Sequence, residues 1–151
     1  MKQWIMQSHS VEETMEIAYQ LGMKLVSGDC ITLEGDLGAG KTHFTKGVAK
    51  ALEIDTVVTS PTFTIIKEYA GSLSLYHMDV YRAGEEAYDL GLEEYFYGSG
   101  VTVVEWPQII EDIIPRARFT CEIRKIDDQQ REIIIGGIGL EYEKRIEELR
   151  K

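Results

Sequence analysis

Residues 30–52, CITLEGDLGAGKTHFTKGVAKAL, change character twice. Cys30 to Glu34 form a short apolar run with the look of a buried strand. Lys41 to Leu52 return apolar residues at helical spacing through Phe44, Val48 and Leu52. Between them stands GDLGAGKT, Gly35 to Thr42, which fits Gly-x-x-x-x-Gly-Lys-Ser/Thr. Strand, glycine-rich loop and helix, in that order, are the setting in which this pattern binds phosphate.

The chemistry follows from the spacing. Gly35, Gly38 and Gly40 are expected to allow backbone angles that a Cβ would block. The N–H groups of Asp36, Leu37, Gly38, Ala39, Gly40, Lys41 and Thr42 can then converge on anionic oxygens. The helix N-terminus adds its partial positive charge. Lys41 reaches β- and γ-phosphates in such a loop, and the Thr42 hydroxyl ligates Mg²⁺. A plain glycine-rich turn would leave the Lys-Thr pair without a role. A nucleoside triphosphate with Mg²⁺ is the expected ligand.

Such a site needs a carboxylate near the metal, usually at the end of a neighbouring strand. Asp79 ends SLSLYHMD and Glu105 ends VTVVE, so both can stand on the carboxyl edge of the sheet. One can hold Mg²⁺ and the other can orient the attacking water; spacing leaves the division open. Between the first loop and these acids lies SPTF, residues 60–63, where a nucleotide switch carries a γ-phosphate-sensing Thr. Thr62 is the candidate. His77 is read as structural, a strand histidine meeting a hydrogen-bond need.

The remaining pattern completes an α/β chain. Ser10 and Glu13 form a capping box for a helix that Gly28 is expected to stop. TFTIIKEYA and LSLYHMDVY alternate around AGS as a hairpin, and FTCEIRKI with REIIIGGI forms a second. EEAYDLGLEEYF reads as a helix broken at Gly91, PQIIEDII as a helix begun by Pro107, and LEYEKRIEELRK as a final amphipathic helix with a solvated face. Early alternation and late hairpins predict a three-layer P-loop NTPase-like domain with a mixed sheet, parallel near the phosphate loop and antiparallel at its edges. No linker composition divides residues 1–151, so one domain is expected.

Composition limits the partners. Sixteen Lys and Arg against 26 Asp and Glu give a net charge of −10. That opposes direct gripping of tRNA or DNA, where affinity comes mainly from basic side chains. No apolar run approaches the roughly 20 residues of a membrane span, and MKQWIMQSHSVEE has no leader-like apolar core. A cytoplasmic protein is expected. Cys30 and Cys121 lie in apolar stretches and read as buried, reduced thiols.

GDLGAGKT, SPTF, HMDVYR, GLEEYF and VEWP occur in this order along the chain. The series resembles the TsaE family, also called YjeE or YdiB, the small ATPases of tRNA threonylcarbamoyladenosine biosynthesis. The resemblance implies ATP binding and weak Mg²⁺-dependent hydrolysis. It implies partnership with TsaB and TsaD, which modify the adenosine beside the anticodon, with TsaC supplying their donor and tRNA contacted only indirectly. By matching motif, Asp36 to Thr42 hold phosphates and Thr42 binds Mg²⁺. Glu105 takes the acidic metal position, Asp79 the Walker-B-like acid, Thr62 the switch-like Thr, and Trp106 the place after Glu105. The resemblance also brings Ser10 and Val11 toward the adenine and Arg131 toward the nucleotide. His43 departs from the common Thr after GKT, and its backbone N–H is expected to serve phosphate all the same.

A small-molecule or nucleotide kinase is the alternative use of such a loop, but it usually carries a mobile Arg-bearing lid. After Arg82 the next arginine is Arg116, and the stretch between reads as compact structure. A GTPase selects guanine with an Asn-Lys-x-Asp element, and this chain contains no asparagine. A scaffold with a relic site would have no use for Lys41, Thr42, Asp79 and Glu105 together.

Overall fold

The computed structural model describes residues 2–61 and 64–151. Seven strands form one sheet: β1 (Lys2–Ser8), β2 (Cys30–Gly35), β3 (Ile66–Tyr69), β4 (Leu75–Asp79), β5 (Val101–Glu105), β6 (Arg118–Lys125) and β7 (Arg131–Ile138). Their order is β1-β7-β6-β2-β5-β4-β3. The four central strands run parallel, and the β1–β7, β6–β7 and β3–β4 pairs are antiparallel. The mixed sheet is therefore as the pattern predicted.

Period-two alternation divides the core. Ile31, Leu33, Leu75, Val101 and Val103 join one cluster with helices α1 (Val11–Gly22), α2 (Lys41–Ala51) and α4 (Leu140–Leu149). Cys30, Met78 and Val104 belong to a second cluster, with Ala87, Leu92, Phe96 and Ile110. That layer is built from 3₁₀ turns at Gly84–Asp89 and Pro107–Ile110 and one short helix, α3 (Glu93–Phe96). The expected helices over EEAYDLGLEEYF and PQIIEDII are thus reduced to segments of four to six residues. Gly91, at φ 70°, breaks the first, and burial of Leu92, Phe96 and Ile110 fixes these turns without longer helices.

Two other expectations change. Residues 2–8, read from sequence only for a leader, form edge strand β1, which pairs with β7 from Lys2↔Gly137 to Ser8↔Arg131. Helix α1 stops at Gly22, before Gly28, and Leu25 then folds into the core. Its start is as read: Ser10 Oγ accepts from the Glu13 N–H at 3.0 Å, while the Glu13 carboxylate accepts from His9 instead of Ser10. Both cysteines are buried free thiols, and burial pushes Cys30 up to about 11. The last helix is solvated on one side only: Tyr142 and Ile146 are buried, and Arg145 reaches Asp29 with bonds of 2.5 and 3.1 Å.

Helices α1 and α2 cross very closely, and small residues allow it. A Cβ on Gly47 would stand 2.3 Å from the Met15 carbonyl oxygen and 2.7 Å from Ala18 Cβ. This contact holds the start of α1 beside the phosphate loop. Helix propensity alone would make Gly47→Ala stabilising by about 1 kcal/mol, but overpacking against backbone costs about 1–3 kcal/mol or more. Gly47→Ala is expected to lower stability in urea unfolding, despite the better helix former.

Candidate functional site

The carboxyl ends of β2, β4 and β5 lie side by side. Parallel register sets Asp79 opposite Glu105, and Leu33, two residues before Gly35, also opposite Glu105. Chain reversal after Gly35 then sends α2 back over the face that Glu105 shares with Val103. The loop and both sequence-chosen acids therefore meet because their strands end on the same edge.

Within the loop, Gly38 and Gly40 adopt φ of 81° and 110°, the left-handed region that a side chain resists. Gly35 is required for a different reason than the one expected. Its φ is not positive, but a Cβ there would stand 2.9 Å from the Ile123 carbonyl oxygen. Ala39 also differs from expectation: its N–H turns back to the Asp36 carbonyl at 3.0 Å. Its methyl is buried, whereas Leu37 is 99% exposed at the loop tip. Helix α2 starts at Lys41 with no side-chain cap, which leaves the N–H groups of Lys41, Thr42 and His43 without intrahelical acceptors.

Glu105 is the centre of the polar network. It is buried, with Oε1 3.7 Å from Lys41 Nζ and Oε2 2.6 Å from His77 Nε2. Lys41 Nζ also lies 4.8 Å from the centroid of the Trp106 ring. Trp106 adopts φ 62° and ψ 49° immediately after Glu105, and its ring meets Tyr81 at 4.7 Å. Asp79 accepts the Tyr81 N–H at 3.1 Å. Burial raises the Asp79 carboxyl above its ordinary value; the Tyr81 N–H opposes this, and the Glu105 charge adds to it.

Among the cavities that touch the loop, two bring the sequence-chosen residues together. One of about 580 Å³ is lined by Lys41, Thr42, Ser60, Asp79, Tyr81 and Glu105, among others. The other, about 160 Å³, brings Ser10, Val11 and Arg131 to Gly38, Gly40 and His43. Arg131 ties β7 to the loop, donating from Nε to the Ala39 carbonyl at 3.0 Å and from a terminal nitrogen to that of Gly38 at 3.3 Å. All the site residues chosen from sequence thus surround one loop, except Thr62, which lies outside the described residues. Sequence reading missed Tyr81 as a wall of the larger cavity and the contact of His77 with Glu105. HMDVYR contained both, and strand period two places His77 on the face of Asp79.

The residues fit a Mg²⁺–nucleotide. The uncapped helix start and left-handed glycines suit phosphate oxygens. Thr42, Asp79 and Glu105 offer only oxygen, and Mg²⁺ usually takes one or two carboxylates, with water and phosphate completing its shell.

The raised Asp79 carboxyl has a testable sign. Stability tied to this acid is full below its ordinary 3.8 and is lost as pH rises through the raised value. In a chelator, Asp79→Asn is therefore expected to gain melting temperature relative to the parent as pH goes from about 3 to about 7. Parallel melting curves across that range would refute the assignment.

The comparisons with known proteins agree with this arrangement. The sequence model of "Threonylcarbamoyl adenosine biosynthesis protein TsaE" matches residues 8–133. The tRNA threonylcarbamoyladenosine biosynthesis protein TsaE of Bacillus subtilis (strain 168) is 52% identical over 150 residues, covering 99% of this chain and 95% of the relative. The protein of the same name from Treponema pallidum (strain Nichols) is 42% identical over 130 residues, covering 85% and 96%. The crystal structure of Bacillus subtilis YdiB superposes with a TM-score of 0.88 at 48% identity, covering 98% of this chain and 94% of that one. By its sequence and its sheet, the chain belongs to the TsaE family of threonylcarbamoyladenosine biosynthesis proteins.

Proposed function

We propose that this chain is a slow Mg²⁺-dependent ATPase that supports TsaB and TsaD in modifying tRNA, as a single cytoplasmic domain. The carrying observation is the convergence of an uncapped helix start, Lys41 and two buried acids on one cavity. Thr42 with Asp79 or Glu105 would hold Mg²⁺, which would supply charge neutralisation at the phosphates. The N–H groups of Lys41, Thr42 and His43 donate to phosphate. Lys41 turns from Glu105 to the β- and γ-phosphates, and the Thr42 hydroxyl faces the metal. Asp79 and Glu105 divide the tasks of holding Mg²⁺ and orienting the attacking water. Ser10, Val11 and Arg131 line the smaller cavity, and on this reading that cavity takes the base.

The kinase alternative wants a mobile lid. After Arg82 this chain instead buries Ala87, Leu92 and Phe96 against the sheet. Among the described residues no helix is long and apolar enough to cross a membrane. An acidic chain suits a protein partner better than direct tRNA binding.

Lys41→Ala is expected to weaken ATP binding about tenfold or more, since hydrogen bonds to charged groups contribute about 1.5–3 kcal/mol. Glu105→Ala should reduce Mg²⁺-dependent phosphate release about 100-fold or more if it positions or deprotonates water. In multi-turnover tRNA modification with TsaB, TsaC and TsaD, adding this chain should raise product yield and adding Lys41→Ala should not. Equal yield with and without the chain would reject the partner role.

A further inference from the structure

We infer that His77 is a positioning residue for Glu105, fixing which carboxylate oxygen faces the reaction. His77 is fully buried. It lies on β4 with Leu75 and Asp79 on one face of the strand, and its register partner on β5 is Val103. From there the ring reaches one step along β5 and places Nε2 2.6 Å from Glu105 Oε2. The other ring nitrogen, Nδ1, is buried without a hydrogen-bond partner among the described residues.

That orphaned nitrogen identifies the tautomer. A proton on Nδ1 would be a buried donor with nothing to receive it, whereas an unprotonated Nδ1 leaves only an unused lone pair. The proton therefore sits on Nε2 and is donated to Glu105 Oε2. Oε2 is committed to the protein, and Oε1, which meets Lys41 Nζ at 3.7 Å, is the oxygen left for the cavity. When Lys41 moves to phosphate, the His77 bond persists and holds the carboxylate in one rotamer. Groups that orient a ligating or water-orienting carboxylate in this way commonly carry a share of the activity without touching substrate.

This inference rests on the reading of Glu105 as an acid of Mg²⁺-dependent hydrolysis, and the experiment separates the two. The nucleotide-free parent, labelled with ¹⁵N in its histidines, should show a His77 ring proton on Nε2 alone, and its shift should move in Glu105→Gln. His77→Gln and His77→Asn are compared for turnover, for half-saturating Mg²⁺, and for ADP affinity in a chelator. The Gln amide reaches the position of Nε2, and the shorter Asn amide does not. Asn is expected to lose about 10- to 100-fold in kcat or in Mg²⁺ affinity, Gln to recover much of that loss, and both to bind metal-free ADP as the parent does. A ring proton on Nδ1, or Asn and Gln variants of equal activity, would overturn the inference. A parent that binds ATP but never hydrolyses it would sink the hydrolytic reading instead, and the ring-proton measurement would still decide the bond.

Discussion

Two carboxylates at the ends of adjacent parallel strands are a constraint that the surrounding structure has to satisfy. Register puts Asp79 directly opposite Glu105, and both are nearly closed to water. Like charges so placed raise each other's cost, and burial raises it further. The structure meets this with donors from three directions. Lys41 arrives from the start of α2, His77 from within β4, and the Tyr81 N–H from the turn beyond Asp79. Each depends on an element whose packing lies elsewhere. The place of α2 is set by its close crossing with α1, and that of β4 by Leu75 and Met78 in the two cores.

Two of the three non-glycine residues with positive φ among the described residues lie at the same edge. Trp106, next to Glu105, and Ile65, next to β3, adopt left-handed conformations that are costly for bulky or β-branched side chains, about 1–3 kcal/mol each. Ile65 is held by its own N–H to the Pro61 carbonyl and by the Asp79 N–H to its carbonyl, both at 2.7 Å. The turn at Trp106 aims its ring at Lys41 and Tyr81. Packed cores on both faces of the sheet over-determine these angles, so the strain persists where the polar groups are set.

Legibility followed the range of the interactions. The phosphate loop could be read because strand, glycines and helix are consecutive, and Asp79 and Glu105 because each ends an apolar run. The N-cap at Ser10 was equally local, although Glu13 closes on the His9 N–H and not on that of Ser10. Edge strand β1 escaped because its partner β7 is more than 120 positions away, although Trp4, Met6 and Ser8 alternate inward. The length of α1 escaped because Leu25 continues the helical spacing after the helix has ended. His77 looked like an ordinary strand histidine, since its bond to Glu105 exists only once β4 and β5 are in register. Arg131 and Ser10 came from a family resemblance; their meeting at one cavity is a consequence of sheet order.

On the proposed reading, the ion pair between Lys41 and Glu105 is what makes the nucleotide state legible to a partner. A ligand shifts a protein between states only through contacts that differ between them. Lys41 is such a contact: it pairs with Glu105 or with phosphate, and its ammonium cannot sit at both. Leaving Glu105 also removes the cation from the Trp106 face, worth about 0.5–2 kcal/mol. Trp106 is in ring contact with Tyr81, and Tyr81 is 60% exposed. A buried exchange of partners at Lys41 therefore ends at an aromatic side chain on the surface, beside the cavity mouth. Slow hydrolysis is then no defect in such a site, because the time spent with Lys41 on phosphate is the interval during which another protein can respond to it.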